Sequence, residues 1–482
     1  YRPVLLISYS INYALGEDHP LGFHMLNLAL HIMNGWLVLC LLRLLGYQWP
    51  ITLIAPSLFL LHPLNTEAVT YVSSRSSVLA TWWYLLAVVF YLRAYTKEKR
   101  WWRGWLLLAL LSTALGLLTK SITITLPIIL LLIDFIYLQK RRDRDAFLVS
   151  FFRIIPYVLA ATLYLGLRAL VVGDVFGTFH VRSPLINLLS QSKGVLLYLR
   201  LFFLPMGLNI RHALEPVDSV LHWAPMLTVA LLVASTVVFI RWPNPSRLAL
   251  LGVLWFLLTL APSSSLVPLR VIAVEHRVYL PVIGLCAAVA SLVARRIAHD
   301  GLRKTIAPYV GGFLAILLCF LTFERNRIWQ DERTLWEDAY RKAPQSLDTN
   351  HALGHYYFQR RLYEKALPFL QQGIQLIDRT HPRPVDYRLP LMLGLSQRAL
   401  GRYESSNRSL HDALFLVPEA ETEVRASLHY LLALNYRRLQ RSEDARKHFS
   451  QAMALQPNAQ HLFQEMGNTP APEPLPTGEN PF

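Results

Sequence analysis

The chain has 482 residues, of which 54% are hydrophobic and only 16% charged, with a formal net charge of +16. So apolar a balance excludes an ordinary soluble domain and marks a protein that crosses a bilayer several times. The surplus of Lys and Arg does not point to nucleic acid, because in the apolar part it gathers in short loops between apolar runs, where basic residues act as topology signals. Cys40, Cys286 and Cys319 all lie within apolar runs, with no CxxC pair and no His cluster at ligand spacing, so neither a disulfide framework nor a zinc site is indicated.

Residues 1 to 20 mix Tyr, Ser and Asn with apolar residues and end in Gly16-Glu17-Asp18-His19-Pro20, which predicts a short interfacial helix closed by a turn. The chain starts at Tyr1 without Met and without a signal-peptide pattern, so a piece lacking its natural start is expected. Spans are expected at about 22–43, 51–61, 78–94, 104–119, 122–138, 150–171, 224–241, 248–262, 278–294 and 306–323. Several fall short of the ~20 residues of a straight span, so their ends must extend into the polar flanks or be locally compensated.

The loops near 43, 95–103, 139–147, 241–247 and 295–305 carry the bases and are cytoplasmic by the positive-inside rule. Alternation then places 1–21, 62–77, 119–121, 172–222, 263–277 and everything after 324 on the opposite face. The run 186–204 is apolar enough to enter the bilayer, yet a crossing would break this alternation. It reads as a re-entrant or surface-lying helix.

Composition turns polar and helix-forming after 323, which sets the domains at 1–323 and 324–466, with a Pro-, Gly-, Thr- and Glu-rich disordered tail at 467–482. The second domain repeats. Ala352-Leu353-Gly354 with Tyr357, Ala366, Leu370 and Gly373 fits the tetratricopeptide pattern of small and large residues. Gly394, Ser406, Leu410, Ala413 and Pro418 repeat it, as do Ala433, Tyr436, Ala445, Phe449, Ala452 and Pro457. Trp336, Ala339 and Pro344 match the second helix of a preceding unit, giving a half repeat plus three, with insertions at 380–384 and 419–423. Such an array stacks into a concave surface for partner or acceptor proteins. The fold class is therefore all-α: a polytopic transmembrane bundle followed by a tetratricopeptide α-solenoid.

The chemistry-bearing stretch is His62 to Arg75, a polar island between two apolar runs, containing His62, Glu67 and Arg75. Unpaired charge is costly in hydrocarbon, so the island must lie at the bilayer surface or in a polar cavity. The topology brings three further clusters to its side: Arg2 with His24, Thr119-Lys120-Ser121, and Glu275-His276-Arg277. Several bases with a few acids at a membrane surface suit an anionic headgroup, because guanidinium and ammonium groups bind phosphate oxygens. Arg75 and Glu67 also fit an ordinary interfacial pair, and His24, Asn27 and His31 on one helix face also fit hydrogen bonding between helices. Asp134 reads as a helix-end or loop-pairing charge, and the aromatic residues at 82–84 and 101–105 as interfacial belts. No nucleophile elbow, P-loop, dinucleotide fingerprint or HExxH is present, so soluble-cofactor chemistry has no support.

Tyr1-Arg2-Pro3, Gly22-Phe23-His24 with Asn27 and His31, His62-Pro63 with Thr66 to Val69 and Arg75, Glu275 to Pro281, Arg325 to Glu332 and the repeats occur in that order. Together they resemble the transmembrane and tetratricopeptide-repeat-containing proteins, a group of O-mannosyltransferase-like enzymes of the GT-C superfamily with bacterial relatives. The resemblance implies a GT-C-like bundle and an inverting transferase that moves a sugar from a polyprenyl-phosphate donor to a Ser or Thr hydroxyl at the non-cytoplasmic face. It places the family's catalytic acids upstream of a motif like Tyr1 to Pro3, outside this chain, and it differs at Ser121, where members often carry Glu.

On that basis Arg75, Lys120 and Arg277 are expected at the donor phosphate, with Glu67 and Glu275 in supporting catalytic roles. Arg2, His24, His62 and His276 are expected to line the site. No soluble cofactor or metal is expected beyond the lipid-linked sugar, and the partners are the bilayer, that donor and acceptor proteins. A bacterial inner membrane with periplasmic repeats is the expected setting. The rivals are an inactive membrane-anchored scaffold and a transferase acting on lipid or glycan.

Overall fold

The computed structural model describes residues 2–96, 101–139, 144–172, 182–241, 246–264, 269, 271–298, 301–380 and 386–456. Two compact units divide between Trp329 and Gln330, six residues beyond the boundary expected from composition, because the last membrane helix runs on through Ile328.

The first unit opens with α1 (Pro3–Gly16), α2 (Pro20–Leu44), α3 (Ile51–Leu61) and the short α4 (Thr66–Thr70). It continues with α5 (Arg75–Thr96), α6 (Trp102–Thr119), α7 (Leu126–Ile133), α8 (Arg144–Val172) and α9 (Pro184–Phe203), and closes with α10 (Trp223–Arg241), α11 (Arg247–Leu260), α12 (Pro281–Ala298) and α13 (Gly301–Ile328). Each expected span is a helix. Among the described residues, seven helical stretches are long and apolar enough to cross a membrane, and the chain is an integral membrane protein.

Local chemistry sets the helix starts. Pro20 follows the His19 cap, whose ring accepts from Leu21 N–H, and Pro184 follows Ser183, whose hydroxyl accepts from Ile186 N–H. The tightest packing is between α11 and α12, where Gly252 faces Gly284. A methyl group built on either glycine would stand 2.3 Å from the other's carbonyl oxygen, so only glycine permits this approach. At one end of the bundle the buried Asp134 accepts from Tyr91 (2.5 Å), Gln139 (2.9 Å), Ser150 (3.1 Å) and Arg153 (3.2 Å). It closes the end of α7 and is paired across the following connection to α8, as a helix-end or loop-pairing charge would be. Tyr84, expected in an interfacial belt, is fully buried and packs edge-on against Trp255.

The second unit contains α14 (Glu332–Lys342), α15 (Leu347–Gln359), α16 (Tyr363–Thr380), α17 (Arg388–Ala399), α18 (Tyr403–Leu416), α19 (Thr422–Arg438) and α20 (Ser442–Leu455). α15 pairs with α16, α17 with α18 and α19 with α20, while α14 packs ahead of them as the half repeat. The small residues act as the repeat pattern requires: a methyl on Gly354 would lie 2.5 Å from Leu370, and one on Gly394 would lie 2.9 Å from Leu410. Residues 381–385, Pro457 and the expected tail lie outside the described residues.

Candidate functional site

The polar island folds as a chain of turns that lays α4 across one end of the bundle. His62 starts it: Nδ1 accepts from Leu64 N–H (3.2 Å), while Nε2–H donates to the Phe202 carbonyl (2.9 Å) and the ring stacks on Phe202. Asn65 Nδ2 then donates to the carbonyl of Phe59 (2.7 Å), returning the chain onto α3. This geometry delivers Glu67, buried, to the segment that precedes α12.

That segment is held by α9. The Tyr198 hydroxyl accepts from Val274 N–H (3.0 Å) and donates to the Val274 carbonyl (2.9 Å), which fixes the following turn at Glu275, His276 and Arg277. The run expected to be re-entrant or surface-lying is thus a half-buried helix whose Asn187, Ser190 and Gln191 face the interior.

Glu67 meets His276 twice: Oε2 accepts from the backbone N–H (3.2 Å), and Oε1 pairs with Nδ1 at 2.6 Å. Burial works to raise the Glu67 pKa, but His276, Arg211 and Arg325 together hold it below the ordinary carboxylate range. Burial, helped by Lys120 and Arg277, pushes His276 below the usual imidazole range against the pull of Glu67. The pair at neutral pH is therefore a carboxylate bonded to a neutral imidazole, with Nδ1–H as the donor.

Cations surround this pair. Lys120 lies just beyond α6, its ammonium donating to Ser77 Oγ (2.7 Å), and burial, reinforced by Arg2 and Arg277, lowers its pKa to about 7. Arg277 donates from Nη1 to the carbonyls of Val271 (2.8 Å) and Ile272 (3.3 Å). Glu275, fully buried, accepts from Asn209 N–H (2.6 Å) and His212 Nε2 (2.9 Å), and Arg325 Nη2 stands 3.7 Å from its second oxygen. The exposed Arg2, before α1, completes the positive edge.

The structure thus brings Arg2, Glu67, Lys120, Glu275, His276 and Arg277 together and adds Asn209, Arg211, His212 and Arg325. Their signal was weak but visible. Asn209, Arg211 and His212 are three polar residues within four in a loop assigned to the site's own face, and Arg325 stands at the polar end of an apolar run.

Three expected residues are placed otherwise. Arg75 is fully buried, with Nε donating to Asn27 (2.8 Å), Nη1 to the Ser8 carbonyl (3.1 Å) and Nη2 to the Phe23 carbonyl (3.2 Å). It also lies over the rings of Tyr9 (4.6 Å) and Phe23 (5.3 Å), so it latches α1 and α2 to α5 rather than presenting its fork to a phosphate. His62 is buried with both ring nitrogens occupied. His24 is exposed on α2 and, among the described residues, makes no hydrogen bond or ring contact. Among the described residues, no group of three His, Cys, Asp or Glu is placed to hold a metal ion.

Residues 426–459 match the family described as "Tetratricopeptide repeat". A mouse relative named "Protein O-mannosyl-transferase TMTC3" is 23% identical over 520 residues, covering 97% of this chain and 54% of its own. A human relative named "Protein O-mannosyl-transferase TMTC4" is 24% identical over 413 residues, covering 73% of this chain and 55% of its own. The chain is therefore similar over nearly all its length to proteins named protein O-mannosyl-transferases. Local similarity rises to 38% over 143 residues of the Drosophila protein named "Protein O-mannosyl-transferase Tmtc2", covering 28% of this chain and 15% of that one. The chain spans about half the length of the first two relatives it matches. A solved structure titled "MamA MSR-1 C2" matches 30% of this chain and 77% of its own at 24% identity, with a TM-score of 0.23, too low to carry a fold argument.

Proposed function

We propose that the protein is a membrane glycosyltransferase that transfers a sugar, mannose first among the candidates, from a polyprenyl-phosphate donor to Ser or Thr of proteins. The observation that carries this reading is the gathering of Arg2, Lys120 and Arg277 beside the Glu67–His276 pair at one end of a transmembrane bundle. Relatives named as protein O-mannosyl-transferases support it. The positive-inside pattern of the basic loops supports a non-cytoplasmic location for this end, and in this reading the repeats bind the acceptor polypeptide.

In this reading Lys120 and Arg277 stabilise the departing phosphate, since preorganised positive charge aimed at the leaving group lowers such a barrier. Both glutamates act through their neighbours: Glu67 through His276, and Glu275 by anchoring the loop of Asn209 and His212. The test is donor kinetics in the complete protein. Lys120→Ala and Arg277→Ala each lower transfer by tenfold or more without loss of folded protein, and unchanged transfer in both refutes the assignment. The scaffold reading has one observation in its favour, that the oxygens of Glu67 already serve His276; transfer activity of any size removes it.

A further inference from the structure

The membrane unit holds a recess at the end of the bundle opposite the Glu67–His276 pair: α6 begins beside it and runs from there to Lys120. It lies between Leu106 and Leu110 of α6 and Phe152, Arg153 and Pro156 of α8, with Tyr95 of α5 beside them, and encloses about 420 Å³. That is the size of a small-ligand site. Val149 and Phe152 on its rim are 46% and 65% exposed, so it opens on the outer, apolar surface of the helices rather than into the bundle.

Three polar features break this apolar lining. Arg153 reaches both oxygens of Asp134 from Nη1 alone (3.2 Å each), and its guanidinium lies over the Tyr95 ring, 4.2 Å from the centroid. Those two contacts orient the group. Among the described residues Nε and Nη2 have no acceptor, although the side chain is 28% exposed, and this edge of the fork is the pair of donors that matches a phosphate. Pro156, inside α8, has no N–H to give the Phe152 carbonyl. The Tyr157 hydroxyl is buried with no hydrogen-bond partner among the described residues. Hydrocarbon can satisfy none of these groups, whereas a headgroup with phosphate oxygens and hydroxyls can.

We propose that this recess binds one anionic phospholipid, with its phosphate on Nε and Nη2 of Arg153 and one acyl chain along Leu106, Leu110 and Pro156. The site is separate from the Glu67–His276 cluster and does not rest on the transferase reading. The Lys- and Arg-rich loops at 95–103 and 139–147 adjoin these helices in sequence and favour an anionic headgroup over a zwitterionic one. Asp134 works against an anion, but its charge is already met by Arg153 and by donors from Tyr91, Gln139 and Ser150. A lipid seated here spans the gap between α6 and α8 on the outer surface.

The experiment uses the complete protein in detergent with phosphatidylglycerol that carries a diazirine on one acyl chain, photolysed and mapped by peptide mass spectrometry. Label is expected on α6 around Leu106 and on α8 around Pro156. Unlabelled phosphatidylglycerol is expected to compete about tenfold better than phosphatidylcholine, the factor that one charge-assisted hydrogen bond supplies, and inorganic phosphate not at all. Leu110→Trp fills the recess without touching the Arg153–Asp134 pair and is expected to abolish the label. Arg153→Lys keeps a charge beside Asp134 but loses the fork, and is expected to bring the two lipids within about threefold of each other.

Equal competition by the two lipids in wild type overturns the headgroup assignment. Competition by inorganic phosphate reveals an anion site that does not need the lipid chain, and overturns the lipid. Label confined to other helices, or unchanged in a folded Leu110→Trp, overturns the site itself. The wild-type map and its competition need no variant, so they decide the matter even if Leu110→Trp fails to fold.

Discussion

Arg75 offers the sharpest test of the fold, because a phosphate ligand and a structural latch make opposite predictions for the same substitution. In Arg75→Ala, Asn27 Oδ1 loses the donor at 2.8 Å inside the bundle, a buried orphaned acceptor that costs about 1–3 kcal/mol. Loss of the guanidinium over Tyr9 and Phe23 adds about 0.5–2 kcal/mol. Relief of the charge's own desolvation offsets part of this, leaving a net destabilisation of about 1–4 kcal/mol. For a bundle of this size that corresponds to a fall in Tm of roughly 2–8 °C, measured by thermal unfolding in detergent. Arg75→Lys keeps the charge but not the fork, and recovers less than half of the loss. The double mutant with Asn27→Ala is non-additive by about 1 kcal/mol or more, because the two side chains share one bond. An unchanged Tm in Arg75→Ala together with a tenfold rise in donor KM refutes the latch and restores the phosphate role.

Three further outcomes follow from particular contacts. Gly284→Ala drives a methyl into the Gly252 carbonyl, so α11 and α12 must separate at a cost of about 1–3 kcal/mol; a Tm equal to wild type by the same thermal assay contradicts that close approach. Because Lys120 titrates near 7 in the free protein, donor affinity is expected to weaken as pH rises above 7 while the ammonium is lost, and Lys120→Arg to flatten that dependence in donor KM measurements. In the repeats, burial and then His448 push His429 down to about 4, and the two Nδ1 atoms share one proton at 2.9 Å. The unfolded chain binds more protons than the folded one between about 6.5 and 4, so stability is lost as pH falls through that window. Hydrogen exchange in α18–α20 is expected to accelerate there, and less so in His429→Gln.

Much of this was legible from pattern. Ten apolar runs became ten helices because a bilayer leaves the backbone few alternatives, and the repeats were readable because Gly354 and Gly394 sit where a facing leucine leaves no room for a side chain. Polar residues flanking apolar runs marked the candidates for the site, but not which of them gather in one place. Arg75 and Lys120 look alike in sequence, as a single base at the mouth of a span. They differ in whether a neighbouring helix supplies acceptors: α1 and α2 do so for Arg75, whereas among the described residues the hydrogen bond of Lys120 goes to Ser77. Likewise Tyr84 reads as an interfacial aromatic until Trp255 and Thr125 close over it. Arg211, His212 and Arg325 enter the site through interactions some 50 to 260 residues apart, and no local spacing encodes those.

The central claim is transfer itself, and the most direct measurement is the release of mannose label from polyprenyl-phosphate mannose onto a Ser/Thr peptide by the complete protein in proteoliposomes, beside Arg277→Ala. Wild type is expected to give peptide-linked mannose, and the variant at least tenfold less. No label on peptide from either protein, with mannose and with other polyprenyl-phosphate sugars, contradicts it and leaves the membrane-anchored scaffold as the better description.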